Sequence, residues 1–163
     1  MRGTPRRSVI GLRKQSAAGV AAALVFVAVA AGLSAGMASA GEARAAFRVI
    51  THPDNASVTV SREFLSDAFL KKTTRWQDGE VIRAVDLRLD APVRRQFSEG
   101  VLHRSVSAVR SYWQQRVFSG RGVPPPELDS DEAVIRYVRS HRGGIGYVSE
   151  RAETRGVKVV LLR

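Results

Sequence analysis

An uncharged run of 24 residues, Ala17 to Ala40, divides this 163-residue chain and constrains what either side of it can fold into. Ahead of it stand Arg2, Arg6, Arg7, Arg13 and Lys14, with no acid among them. Its middle is built mainly from Ala, Val, Leu and Gly, and it ends on Ala38-Ser39-Ala40 before the polar Gly41-Glu42. A basic start, an apolar centre and small residues before a polar segment are the marks of a secretory signal peptide. The pattern predicts cleavage after Ala40, with Ala45 in Ala43-Arg44-Ala45 as a second position. If retained, the run is long enough to cross a bilayer, and it is then the only membrane contact expected. Arg6-Arg7 matches a twin-arginine signal only faintly, so general export is the expected route.

The chain has no cysteine. Disulfides, thiolate metal sites, a cysteine nucleophile and a lipid attachment point are thereby removed. An exported bacterial chain without that anchor is expected in the periplasm or secreted. The net charge of +11 over the whole chain becomes +6 over residues 41–163, where basic and acidic residues are interspersed. A nucleic-acid partner is therefore not expected, although the total charge alone suggests one. Residues 41–163 are read as one domain, held by packing.

Along that segment, Ala46–Thr51 reads as a strand and His52–Asn55 as a turn. Ser61 is placed to cap a helix running to about Lys71, with Phe64, Leu65, Ala68 and Phe69 as its apolar stripe. Residues 73–80 form a loop holding Trp76, and Val81–Leu87 alternates as a second strand. Pro92 suits the first turn of a helix reaching about Leu102. Ser105 or Ser107 opens the next, with Val106, Val109, Trp113 and Val117 along one face. Ser119–Glu127, with three consecutive prolines, is irregular. Ser130 caps a further helix that buries Val134, Ile135 and Val138 and stops at Gly143-Gly144. Ile145–Val148 and Val157–Leu162 read as strands. The order β-α-β-α-α-α-β-β specifies a mixed α/β domain, a small sheet with helices packed on it.

Little in the sequence speaks for catalysis, and no enzyme activity, metal or cofactor is expected. His52, His103 and His141 are far apart and none lies at a metal-ligand spacing. There is no Gly-x-Ser-x-Gly elbow and no Gly-Lys-Ser/Thr phosphate loop. Asp129, Asp131 and Glu132 read as helix-start acids. Gly143–Val148 reads as a helix stop followed by a buried strand, and Trp76 and Trp113 as core packing. Asn55-Ala56-Ser57 is a glycosylation sequon without expected use.

The segment Val85–Arg95 is different: a strand, a short polar turn and a helix start. Backbone N–H groups at such a start face the turn, where the helix dipole favours an anion. Arg88 and Arg94 could add charge-assisted hydrogen bonds, whereas Asp90 itself would repel a fully ionised anion. The plain alternative stays open: Asp90 caps the helix and the arginines are solvated.

The stretch Phe64-Leu65 through Trp76-Gln77-Asp78-Gly79 resembles a segment of the phosphate-binding proteins of ABC transporters, the PstS-like proteins. Tyr112-Trp113 to Gly122 with the prolines after it, and Gly143-Gly144-Ile145-Gly146-Tyr147-Val148, are similar to further segments of that family in the same order. The resemblance implies a single lobe of the periplasmic-binding-protein type. It implies phosphate or another small oxyanion as ligand, with Asp86, Arg88, Asp90 and Arg94 as the local ligand-binding candidates, and a transporter permease or other envelope protein as partner. Full-length relatives carry a Ser-Gly-Thr turn where this chain has Leu89-Asp90-Ala91-Pro92-Val93, and they close two lobes on the ligand. A second reading is therefore kept beside the first: an envelope interaction module that uses the exposed face of one lobe.

Overall fold

The computed structural model of the protein describes residues 47–163. The expected signal segment and both cleavage positions lie outside the described residues. A five-stranded sheet contains β1 (Phe47–Thr51), β2 (Thr59–Val60), β3 (Arg83–Ala84), β6 (Gly144–Ser149) and β7 (Lys158–Leu162), in the order β2-β7-β1-β6-β3. β1 runs antiparallel to both β6 and β7, while β2 is parallel to β7 and β3 parallel to β6. A separate two-stranded parallel ladder joins β4 (Asp86–Leu87) to β5 (Glu127–Leu128). Four helices complete the described residues: α1 (Arg62–Phe69), α2 (Pro92–Gly100), α3 (Val106–Phe118) and α4 (Asp131–Ser140).

Side chains of a strand alternate between faces, so the register decides what each face buries. Val49 stands opposite both Tyr147 and Val160, which puts these residues on one face with Phe47. Phe97 of α2 lies flat on Tyr147, with ring centroids 3.9 Å apart and planes 5° from parallel. Phe69 of α1 and Phe47 pack against Phe97 at 4.6 and 5.5 Å. The opposite face carries Gly146 and meets α4. A Cβ on Gly146 would lie 2.7 Å from Val134 Cγ1 and 3.0 Å from Val85 Cγ1, so only glycine lets α4 approach this closely.

The helix starts follow the local signals. Ser61, Ser105 and Ser130 each accept the backbone N–H three residues on, from Phe64 at 3.1 Å and from Ala108 and Ala133 at 3.2 Å. Pro92 opens α2. Val134, Ile135 and Val138 are buried on α4, and the Gly143-Gly144 stop leads into the buried strand β6. Trp76 and Trp113 are both buried, and the Trp76 indole donates to the Gly143 carbonyl at 3.1 Å. Asn55 is buried and its side-chain oxygen accepts from the Ser57 N–H at 2.9 Å.

Other readings are corrected. Val81–Leu87 is not one strand. Arg83 and Ala84 pair with β6, Val85 donates to Ile145 at 3.0 Å, and the chain then leaves the main sheet. Asp86 instead donates to the Pro126 carbonyl at 2.9 Å and begins the ladder with β5. Proline lacks an N–H but keeps its acceptor, so the proline run can receive a strand that it could not extend on its own. α1 stops at Phe69, before Lys71, whose φ of 52° breaks the helix. α2 stops at Gly100, and its N-cap is Ala91, with no side-chain bond, so the alternative that Asp90 caps the helix does not hold. Val117 does not share the buried face of Val109 and Trp113 but is half exposed. Asp131, read as a helix-start acid, also accepts from the Ser149 N–H at 3.1 Å and from its hydroxyl, tying α4 to β6.

Candidate functional site

The buried residues of α2 are Arg94, Phe97 and Ser98, and Val101 continues their line one turn on. This is the i, i+3, i+4, i+7 stripe of a core-facing helix, with a guanidinium at its N-terminal end. Arg94 is 2% exposed and forms an ion pair with Asp86 of β4, itself 3% exposed. Asp86 also accepts from the Tyr147 hydroxyl and from the Leu87 N–H at 3.0 Å. Burial lowers the guanidinium pKa of Arg94 and pushes the Tyr147 phenol up, so the tyrosine remains a donor to Asp86. The Arg94 Nε has no hydrogen-bond partner among the described residues, and Glu127 Oε1 stands 4.0 Å from its terminal nitrogen.

Arg88 and Asp90 lie at the surface, in the turn between β4 and α2. The guanidinium of Arg88 spans both carboxylate oxygens of Asp90. Arg88 holds the Asp90 carboxyl below the usual carboxylate range, and the Asp90 carboxylate raises Arg88 in return. The four residues singled out from the sequence thus stand as two ion pairs, one buried and one exposed. The turn between them runs into α2, whose first-turn N–H groups receive no side-chain cap.

Beside this turn is a cavity of about 470 Å³ bounded by the turn, α3 and the proline segment. Leu89, Trp113, Val117 and Phe118 form much of its wall, with Arg94 and Glu127 at one side. Sequence reasoning did not identify Arg110, Gln114 or Glu127 as part of any site, yet all three line this cavity. One signal pointed there: residues 100–126 contain no acid and carry Arg104, Arg110, Arg116 and Arg121. Among the described residues there is no cluster of His, Asp and Glu able to hold a metal ion, and no helix long and apolar enough to cross a membrane.

The small mixed sheet with helices on both faces, and the strand that leaves it for a turn and a helix start, have the fold of a lobe of periplasmic binding proteins. More narrowly, the fold is PstS-like. The chain is similar to a Clostridium perfringens protein described as a phosphate ABC transporter substrate-binding protein and solved with bound phosphate (TM-score 0.56, 19% identity, 72% of this chain and 44% of that one). It is similar to an ABC-type phosphate transport receptor from Vibrio cholerae (TM-score 0.56, 15% identity, 72% and 46%). A third structure is PstS from Borrelia burgdorferi (TM-score 0.51, 13% identity, 72% and 47%). This chain therefore spans less than half the length of each. No family model matches it, and no curated protein matches it.

Proposed function

We propose that the protein is an exported solute-binding lobe, working in the periplasm or outside the cell as residues 41–163. It takes a small oxyanion of the phosphate class at the turn between β4 and α2 and hands it on without catalysis, in partnership with an ABC-type permease. The observation that carries this reading is the α2 start: a nine-residue helix with no side-chain cap, directly after an arginine-bearing turn. Its uncapped first turn, in which Val93 and Arg94 carry N–H groups and Pro92 has none, and the positive end of its dipole suit an anion. Arg88 holds Asp90 with one edge of its guanidinium and keeps its remaining N–H donors for an oxyanion oxygen. Asp90, kept ionised by Arg88, accepts from a protonated phosphate oxygen. In this reading Asp86 and Arg94 act from behind, fixing β4 against α2 so that the turn keeps its shape. The fold shared with phosphate-binding proteins supports the choice of ligand class.

Calorimetric titration of the protein with inorganic phosphate, alongside sulfate, tests this. Binding with a rise in melting temperature is expected, and Arg88→Ala weakens it by at least about tenfold, or 1.4 kcal/mol. Absence of both heat and thermal stabilisation at millimolar phosphate would exclude the ligand-binding function.

A further inference from the structure

The cavity next to the turn is of the wrong chemistry for inorganic phosphate alone. Much of its wall is Leu89, Trp113, Val117 and Phe118, none of which can bond an oxygen except through the indole N–H. A bare oxyanion pressed against such a wall loses water and gains nothing. Yet the cavity is not purely apolar. Arg94, 2% exposed and with its Nε unpartnered, faces it, and Arg110 lines it from α3. Glu127 is the one acid on the wall, and since Arg94 is paired with Asp86 behind it, Arg110 is the cation that stands against Glu127. A volume of about 470 Å³, mostly apolar lining and a few convergent polar groups are the features of an organic-ligand pocket. Leu89 belongs both to the anion-binding turn and to this wall, so the two regions are continuous.

We infer that the preferred ligand is a phosphate monoester bearing an aromatic or branched apolar group, its phosphate at the turn and its apolar part between α3 and the proline segment. This rests on the oxyanion reading above and narrows it. Phe118 is 92% exposed at the rim, where it would close over such a group.

The test titrates the full chain with inorganic phosphate and with phenyl phosphate, by calorimetry and tryptophan fluorescence. Phenyl phosphate is expected to bind at least tenfold more tightly and to change the Trp113 emission. The double variant Val117→Ser/Phe118→Ser, altering two exposed side chains, should lose that gain and keep its affinity for inorganic phosphate. Equal affinity for the two probes overturns this inference and leaves the oxyanion reading standing. A gain that survives in the double variant also overturns it, because the apolar group then sits elsewhere. Failure of both probes to bind overturns the two readings together.

Discussion

Arg94 and Asp86 each make the burial of the other tolerable. A guanidinium or carboxylate taken into the core alone is costly, whereas the pair offsets much of that cost and the Tyr147 hydroxyl occupies a further lone pair of Asp86. Removing one member is therefore worse than removing both. Arg94→Ala is expected to lower stability by about 3–5 kcal/mol, since it strands a buried carboxylate. The double variant Arg94→Met/Asp86→Leu should lose clearly less than Arg94→Ala, and urea denaturation of the two measures the difference. A double variant at least as unstable as the single one would show that the pair is not coupled. The sequence reads Arg94 as an anion-binding or a solvated arginine, although its spacing carries a signal of burial. Arg94 lies three and seven residues before Phe97 and Val101, which places it on the apolar stripe of α2 whatever its charge. Its partner was not legible, because Asp86 faces α2 only after the chain has left β6 for β5, and no local pattern encodes that departure.

The helices α1, α3 and α4 start where a serine can accept an N–H, and these signals are contained within four residues, so the sequence alone located α1 and α4 and narrowed the α3 start to Ser105 or Ser107. Two of these starts also carry an acid with consequences for pH. Glu63 in α1 and Glu132 in α4 are held below the usual carboxylate pKa, first by backbone N–H groups of the first turn and then by the capping serine. A carboxyl whose pKa is lower folded than unfolded stabilises the fold above its unfolded pKa. That contribution is lost as the pH falls through the folded value. Melting temperature should thus drop progressively from about pH 5 downward, and Glu63→Gln/Glu132→Gln should flatten the drop. Circular-dichroism melts across that range decide it, and an unchanged slope in the double variant would remove these acids from the account. Elements two residues long escaped the sequence for the opposite reason. β2 and β5 have no periodicity to read, and the break at Val85 falls inside an alternation that looks continuous. They exist because neighbouring chain supplies their hydrogen bonds.

At the scale of the whole molecule, residues 47–163 share one continuous hydrophobic core, and that core reaches both tryptophans. The order of the resembling segments, from Phe64 to Val148, made this architecture legible even though no single motif is specific. What stayed hidden was the cavity, because its wall is assembled from a turn, a helix and a proline segment far apart in sequence. The two tryptophans report from separate places. Trp76 lies on Phe64 of α1, with ring centroids 5.2 Å apart, and is bonded to the residue ahead of β6. Trp113 sits on α3, beside the wall that Arg94 shares. Both belong to the one hydrophobic core, at whose centre Arg94, Asp86 and Tyr147 are joined to the stacked ring of Phe97. If that core is a single cooperative unit, neither end can melt first. In Trp76→Phe, the emission of Trp113 should follow the same urea transition as far-UV circular dichroism, and in Trp113→Phe the emission of Trp76 should do likewise. The comparison is made within each variant, so any stability lost to the substitution itself cancels. Separate midpoints for emission and dichroism would mean that α3 and its cavity unfold apart from the sheet, leaving a binding site that opens without the lobe around it.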